Sequence, residues 1–186
     1  MRVIAGKCKG LKLRAPAGLF VRPTGDRVKE STFAILGEKL KAALVLDLFA
    51  GCGNLAIEAY SRGAAQVICV DNDAVSLKYI YCNIETAGAG SHVKIYRGDA
   101  LQAVKLFSRQ GILFDFIFAD PHYKKGLIQR TLTQIKKNNI LTKDGIIVVE
   151  YSRHEKFLLP AGLVTVRNEK YGDVMVAFIA QADKGG

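Results

Sequence analysis

The fold class is indicated by the stretch Asp47-Leu48-Phe49-Ala50-Gly51-Cys52-Gly53-Asn54-Leu55-Ala56. It continues from an apolar run that begins at Leu44. A run of strand length that passes into closely spaced glycines is typical of a β-strand turning tightly into a helix. Because glycine has no Cβ, its backbone can approach a ligand closely. Dinucleotide-binding enzymes and turns that bind nothing share this spacing. We expect a ligand at this turn, chiefly beside Phe49, Ala50, Gly51 and Gly53.

Further apolar runs of strand length follow this strand and alternate with amphipathic segments. The runs are Val67–Val70, Val93–Tyr96, Phe114–Ala119 and Ile146–Glu150. Between them, apolar residues recur at helical spacing, and these are Leu77, Ile80 and Ile84, then Leu101, Val104 and Phe107, then Ile128, Leu132 and Ile135. Strands that alternate with helices in this way predict a parallel sheet with helices on both faces.

The last two apolar runs lie too close together for a helix between them. Val164–Arg167 and Val174–Ala180 flank the short segment Lys170-Tyr171-Gly172-Asp173, which predicts an antiparallel hairpin. Five parallel strands followed by this hairpin make an α/β fold of the Rossmann-like type. The expected sheet has seven strands, is mostly parallel, and ends in an antiparallel C-terminal hairpin.

The first 41 residues differ from the rest of the chain in charge. The whole chain has a formal net charge of +10, and residues 1–41 contribute +7 of it, with ten Lys or Arg against three Asp or Glu. Gly6 and Gly10 separate two short alternating runs and predict a β-hairpin, and Asp26 is expected to cap the helix that follows. We expect residues 1–41 to form a basic N-terminal extension and residues 42–186 to form one compact ligand-binding domain.

The composition excludes several classes of protein. With 186 residues, 49% of them apolar, the chain can build a hydrophobic core and does not resemble a disordered protein. No apolar run reaches the length of a membrane span, and none of signal-peptide length precedes Lys7, so we expect a cytoplasmic location. The four cysteines lack Cys-x-x-Cys spacing, and we expect neither a disulfide nor a metal site.

Acidic residues that end the first three strands indicate an adenosine cofactor. Asp71, followed by Asn72, comes 24 residues after Asp47 and can accept hydrogen bonds from both ribose hydroxyls. Asp99, followed by Ala100, can accept from an adenine amine or cap the next helix. The charge of Asp47 beside the glycine turn repels a pyrophosphate but suits a sulfonium and an ammonium group. This pattern favours S-adenosylmethionine over NAD.

The fourth strand ends in Asp120-Pro121-His122-Tyr123, and this segment indicates the reaction. The exocyclic amine of a nucleobase is a poor nucleophile because its lone pair is delocalised into the ring. The Asp120 carboxylate and the Pro121 carbonyl can hold both N–H groups and orient that lone pair towards a methyl group. Tyr123 can stack on the base, a contact worth roughly 1–3 kcal/mol. Alone, the segment fits an ordinary turn, but acids at the neighbouring strand ends favour amine methylation.

Together these motifs resemble class I S-adenosylmethionine-dependent methyltransferases, and within them the RsmD-type 16S ribosomal RNA guanine-N2 methyltransferases. The family signature Asn/Asp-Pro-Pro-Tyr/Phe stands here as Asp120-Pro121-His122-Tyr123, with His122 in place of the second proline. The segments at 2–7, 9–13 and 22–30 are similar to the family's leading hairpin and its Arg-Pro-Thr-x-Asp-Arg-Val-Lys/Arg-Glu motif. The resemblance implies methylation of the exocyclic N2 of one 16S rRNA guanine, within the small ribosomal subunit or an assembly intermediate. We expect the enzyme to be a monomer.

Under this resemblance, the basic N-terminal extension becomes an RNA-docking surface. A set of lysines and arginines would contact phosphates and give affinity without reading sequence. These residues are Lys7, Lys9, Lys12, Arg14, Arg22, Arg27, Lys29, Lys124 and Lys125. The alternative is an ordinary solvated surface, which is where most lysines and arginines lie.

Other functions remain open at this point. A nucleic-acid adenine-N6 methyltransferase uses the same four-residue turn, but it normally needs a target-recognition region for which this chain is short. A protein-glutamine methyltransferase gains nothing from a basic extension, and an NAD-dependent oxidoreductase would tolerate an uncharged residue at Asp47. A noncatalytic RNA-binding assembly factor with a vestigial site is kept as an alternative because of His122.

Overall fold

The computed structural model describes residues 1–16, 25–121 and 126–182. Within these ranges the strands are β1 Leu44–Asp47, β2 Gln66–Asp71, β3 Val93–Arg97, β4 Phe114–Ala119, β5 Leu141–Ser152, β6 Leu163–Tyr171 and β7 Val174–Gln181. The α-helices are α1 Asp26–Leu36, α2 Asn54–Ser61, α3 Ala74–Thr86, α4 Ala100–Arg109 and α5 Leu127–Asn138. A short 3-10 helix, Gly37–Leu40, follows α1. None of these helices is long and apolar enough to cross a membrane.

The described strands form one sheet in the order β3-β2-β1-β4-β5-β7-β6. Strands β1 to β5 are parallel, and β7 runs antiparallel to both β5 and β6. The predicted fold class is therefore confirmed. From β1 the chain builds outward to β2 and β3, and it then returns to place β4 on the other side of β1. Ligands of open α/β sheets bind at such a reversal, beside the carboxyl ends of the strands.

Two hydrophobic layers cover the faces of the sheet. On one face, Val45 and Phe118 pack with apolar residues of α1, α2 and α3, and the rings of Phe33 and Phe118 lie 5.3 Å apart. On the other face, Leu46 and Ile117 pack with residues of α4 and α5. Neighbouring residues of one strand thus enter opposite layers, as the two-residue period of a strand requires. Because both faces are buried, the carboxyl edge is where a ligand can reach the parallel strands.

Residues 1–16, the N-terminal arm, fold back on themselves and lie against α2. The predicted hairpin is present in a shorter form, since the described part of the arm has one antiparallel bridge, between Arg2 and Lys12. Backbone hydrogen bonds such as that from the Val3 N–H to the Leu11 carbonyl, at 2.9 Å, also join its two sides, and other backbone groups of the arm bind side chains of the domain. The backbone N–H groups of Ile4 and Ala5 donate to the Glu58 carboxylate at 2.7 and 3.1 Å.

Helix α1 begins at Asp26, the residue that was predicted to cap it. The N-cap is Gly25, which has no side chain to cap the helix, and Asp26 is the first helical residue. The prediction that Asp26 caps this helix is therefore wrong. The carboxylate of Asp26 instead accepts from Nε of Arg2 at 3.1 Å and so ties α1 to the arm.

Candidate active site

The glycine turn, residues 50–54, connects β1 to α2 through two left-handed backbone positions. Gly51 has φ +55° and Gly53 has φ +83°, and residues other than glycine rarely adopt such positive φ angles. A Cβ built on Gly51 would meet no atom within 4 Å, so the space beside this backbone is open. The turn is closed by the Gly53 N–H, which donates to the Ala50 carbonyl at 2.7 Å.

The carboxylate of Asp71 holds this turn from the neighbouring strand. One oxygen accepts from the backbone N–H of Gly51 at 2.7 Å, and the other accepts from the N–H of Asp73 at 2.8 Å. Asp71 therefore lies beside the glycine turn, and Asn72 next to it is exposed. Each oxygen has a further lone pair with which it can accept a ribose hydroxyl. The ribose contact itself stays a prediction.

Asp99 has the structural role that the sequence left open. One of its oxygens accepts from the backbone N–H groups of Leu101 and Gln102 at 2.9 and 3.0 Å and caps α4. Ala100 behind it is buried. The side chain of Asp99 is exposed, and the contact with an adenine amine remains a prediction.

Asp47 is a buried carboxylate at the end of β1, and 1% of the residue is exposed. Its Oδ2 is buried and has no hydrogen-bond partner among the described residues. The pKa of Asp47 is raised to about 7, chiefly by burial and also by the nearby charge of Asp71, while backbone N–H groups partly oppose the rise. A buried, unpaired carboxylate oxygen costs free energy, and a cationic ligand can offset that cost.

Asp120 follows β4 at the same edge of the sheet and is partly exposed. The pKa of Asp120 is raised to about 7, chiefly by loss of water contact and also by the charge of Asp47. Pro121 behind it is buried. The predicted base-stacking residue Tyr123 lies outside the described residues, as do His122, Lys124 and Lys125.

Sequence reasoning missed a second carboxylate, Glu150, which lies at the edge next to Asp120. Ala119 of β4 pairs with Val149 of β5, so Asp120 and Glu150 occupy neighbouring positions on adjacent strands. Both line a small cavity between α1, α2 and the sheet, together with Thr32, Leu55, Phe118, Ala119, Val148 and Val176. The signal was available in the sequence, because Glu150 is the last residue of the predicted strand Ile146–Glu150.

The electrostatics of this edge fit a cationic ligand better than an anionic one. Asp47, Asp71 and Asp120 come from three neighbouring strands, and each charge that acts on Asp47 or Asp120 from this set is negative. A pyrophosphate would add to the repulsion, whereas sulfonium and ammonium groups would relieve it. The residues therefore fit S-adenosylmethionine. In the part of the chain that the structure describes, no three acidic, histidine or cysteine side chains cluster so as to hold a metal ion.

The predicted RNA-binding residues fall into three groups. Five of them are exposed, and these are Lys7, Lys9, Lys12, Arg14 and Arg27. Arg22 lies outside the described residues, like Lys124 and Lys125. Contact with phosphate stays a prediction for all of these residues.

Lys29 corrects the sequence prediction, because it is fully buried and cannot reach RNA. Its ammonium donates to the Arg2 carbonyl at 2.6 Å and to Oδ1 of Asn54 at 2.7 Å, and it lies 3.4 Å from the Glu58 carboxylate. Burial lowers the pKa of Lys29, although the charge of Glu58 partly opposes this. Its three N–H groups face three acceptors inside the protein. The period of α1 places it inward with Val28 and Thr32.

Comparisons with known proteins identify relatives over nearly the whole chain. The model of the family described as "Conserved hypothetical protein 95" matches residues 1–180. The "Putative rRNA methyltransferase YlbH" of Bacillus subtilis is 41% identical over 178 residues, which cover 95% of this chain and 97% of that protein. The "Ribosomal RNA small subunit methyltransferase D" of Escherichia coli is 32% identical over 150 residues, covering 81% and 74%. These matches confirm the resemblance to RsmD-type proteins.

Solved structures show the same architecture. The "Putative methyltransferase yhhF from Escherichia coli" superposes with a TM-score of 0.85 at 30% identity and covers 97% of both chains. An RNA methyltransferase from Salinibacter ruber, solved in complex with S-adenosyl-L-homocysteine, has a TM-score of 0.69 at 16% identity and covers 88% of this chain and 96% of its own. The second similarity supports the fold alone.

Proposed function

The chain belongs to the Conserved hypothetical protein 95 family, and we propose on that premise that it is an S-adenosylmethionine-dependent methyltransferase of small-subunit ribosomal RNA. The finer proposal is that it methylates the exocyclic N2 of one guanine in 16S rRNA. The observation that carries the proposal is the unpaired, buried Oδ2 of Asp47 at the same sheet edge as Asp120. This arrangement offers one carboxylate to a cation and another to an amine.

The cofactor proposal assigns a role to each residue around the glycine turn. The open backbone at Gly51 gives the cofactor room, and Asp71 presents a carboxylate that is already oriented by the turn it holds. Asp47 faces the positive groups, and Asp99 with Ala100 lies where the next strand ends. When bound, S-adenosylmethionine supplies an electrophilic methyl group. The Salinibacter ruber protein, which shares the fold, was solved with S-adenosyl-L-homocysteine, the product that such a transfer leaves.

On the acceptor side, Asp120 is proposed to hold the amine. Its carboxylate accepts one N–H of the exocyclic amine, and the carbonyl of Pro121 accepts the other, which localises the nitrogen lone pair for attack. Holding the amine in one orientation is the main source of rate enhancement in such a reaction. Because the pKa of Asp120 is raised to about 7, its carboxylate can also take the proton that the methylated amine releases. Tyr123 would stack on the base.

Guanine is favoured over adenine by the presence of two carboxylates. The Watson–Crick edge of guanine carries adjacent donors at N1 and N2, whereas N1 of adenine is an acceptor. With Asp120 on the amine, the neighbouring Glu150 is proposed to accept from guanine N1–H, and the same carboxylate would repel adenine N1. A base reaches this position only when it is splayed out of its stack.

The macromolecular partner is proposed to be the small ribosomal subunit or an assembly intermediate. The relatives named for small-subunit ribosomal RNA support this choice, as does the excess charge of residues 1–41. The exposed lysines and arginines of the arm would meet phosphates and set the docking orientation. The enzyme is proposed to act as a monomer in the cytoplasm.

The test is a methyl-transfer assay with an identified product. Purified protein is incubated with labelled S-adenosylmethionine and small subunits that lack the modification, and the methylated nucleoside and its position are identified by mass spectrometry. The expected product is N2-methylguanosine at one position of 16S rRNA. N6-methyladenosine would instead support an adenine methyltransferase, and RNA binding without turnover would support the assembly factor.

A further inference from the structure

The glycine turn is flanked by two buried polar side chains that connect it to the N-terminal arm. Asn83 of α3 and Lys29 of α1 are 1% and 0% exposed. Each binds the arm with one part of its polar group and the turn with another. Asn83 belongs to none of the motifs from which the site was predicted, and Lys29 was predicted to contact RNA and not the glycine turn.

Asn83 uses its whole amide in this connection. Its Oδ1 accepts from the Arg14 N–H at 2.8 Å, and its Nδ2 donates to the Arg14 carbonyl at 2.8 Å and to the Cys52 carbonyl at 2.9 Å. Both amide N–H groups and the amide oxygen therefore have partners. One side chain thus fixes the end of the arm and the middle of the glycine turn at the same time.

Lys29 forms the matching connection on the other side of Gly53. Its ammonium donates to the carbonyl of Arg2 and to Oδ1 of Asn54, at 2.6 and 2.7 Å. Asn54 is the last residue of the turn and the first of α2. A third contact supports the same junction, because the sulfur atoms of Met1 and Cys52 lie 3.7 Å apart.

The arm is also attached at the far end of α2, where it does not touch the turn. The Ser61 hydroxyl donates to the Ala5 carbonyl at 2.6 Å and accepts from the Cys8 N–H at 2.9 Å. Helix α2 has eight residues, which places this attachment about 12 Å along the helix from the turn. The far attachment holds the arm to the domain, whereas Asn83 and Lys29 hold it to the ligand-binding backbone.

We propose that Asn83 and Lys29 are positioning residues through which the N-terminal arm sets the geometry of the glycine turn, so that RNA docking on the arm and S-adenosylmethionine binding at the turn strengthen one another. The inference rests on the proposed function. Phosphates bound by Lys12 and Arg14 fix the arm, and the fixed arm holds the carbonyl of Cys52 and the side chain of Asn54 in place. Coupling between two ligands is reciprocal, so the cofactor must also strengthen RNA docking by the same factor.

The first experiment compares the wild type with Asn83→Asp and Ser61→Ala. Asn83→Asp is nearly isosteric and keeps an acceptor for Arg14 N–H, but it loses both donated hydrogen bonds. Ser61→Ala loses two arm hydrogen bonds at the far end of α2. Affinity for S-adenosylhomocysteine is measured by calorimetry, and thermal denaturation is recorded for all three proteins. We expect Kd to rise about fivefold or more in Asn83→Asp and to stay within about twofold in Ser61→Ala.

The second experiment measures the coupling itself. Binding of labelled S-adenosylhomocysteine is followed by equilibrium dialysis with and without unmethylated small subunits. In the wild type the subunits should lower Kd by about fivefold, and in Asn83→Asp this factor should approach one. Equal factors in the two proteins, or equal Kd values for Asn83→Asp and Ser61→Ala in the first experiment, would overturn the inference alone. Failure of the wild type to bind S-adenosylhomocysteine would overturn the proposed function and this inference with it.

Discussion

The two halves of the carboxyl edge differ in the contacts and charges that act on their functional groups. In the cofactor half, formed by β1 to β3, both oxygens of Asp71 accept backbone N–H groups, and Asn83 and Lys29 hold the glycine turn. In the acceptor half, formed by β4 and β5, the negative charge of Asp47 repels that of Asp120 and raises its pKa. It follows that contacts within the protein orient the cofactor half, whereas the like charges that meet at Asp120 favour a ligand that brings hydrogen-bond donors or positive charge to the acceptor half.

The largest difference between the two halves is expected when the carboxylate of Asp120 is removed. Asp120→Ala should lower the rate of methyl transfer by at least about a hundredfold, because the amine loses its orientation. Affinity for S-adenosylmethionine should remain close to that of the wild type. Single-turnover transfer of labelled methyl and calorimetry measure the two effects. Asp120→Asn is the matched control, since it keeps one acceptor oxygen and should retain part of the rate. Full activity in Asp120→Ala would contradict the proposed mechanism.

Changing Asp47 should produce the opposite pattern, with the loss concentrated in cofactor binding. Asp47→Asn removes the charge that faces the cofactor and should weaken S-adenosylmethionine binding by at least about tenfold, or about 1.4 kcal/mol. S-adenosylhomocysteine has a neutral sulfur atom and should lose less affinity. Calorimetry with both ligands gives the comparison. An equal loss for the two ligands would show that Asp47 does not face the sulfonium group.

Charge reversal on the arm tests whether its exposed lysines, which lie beside the cofactor half, bind the RNA substrate. Lys9→Glu combined with Lys12→Glu should weaken RNA binding about tenfold and reduce its salt dependence by about two units of slope. Binding to small subunits is measured across a salt series. Lys143→Glu is the control, because Lys143 is also exposed but lies at the start of β5, at the opposite edge. A salt slope equal to that of the wild type would remove the arm from the docking surface.

The smallest expected effect is the pH dependence of cofactor affinity. The pKa of Asp47 is raised to about 7, so the carboxyl is mostly neutral at pH 6 and mostly ionised at pH 7.5. A cationic ligand prefers the ionised form, and affinity for S-adenosylmethionine should therefore rise about five- to tenfold over this interval. The dependence should disappear in Asp47→Asn, which is followed by calorimetry at each pH.

The titration of Asp47 also affects the stability of the ligand-free protein, which should fall as the pH rises, whereas cofactor affinity should increase. The native state holds the proton of Asp47 more tightly than the unfolded chain does. The resulting stabilisation is fully present below the ordinary aspartate pKa of 3.8 and is lost as the pH rises towards about 7. Denaturant titrations between pH 4 and pH 7.5 should show this decline in the wild type and less of it in Asp47→Asn.

Local patterns in the sequence were enough to predict the fold class and which acidic residues lie at strand ends. Apolar runs and helical spacing report local periodicity, and the strand ends of a parallel sheet must share one edge, so Asp47, Asp71 and Asp120 could be placed together. Strand β5 was predicted only as Ile146–Glu150, because its polar beginning, from Leu141, carries no apolar pattern, yet it continues the sheet beside β4.

Only the tertiary structure decided what each polar side chain does. Lys29 looked like its exposed neighbours, but α1 turns it into the core, where the Arg2 carbonyl, Asn54 and Glu58 replace water. The unpaired oxygen of Asp47 and the double contact of Asn83 are likewise invisible in sequence. Hydrogen-bond partners far apart in the chain depend on how elements pack, and periodicity carries no information about that packing.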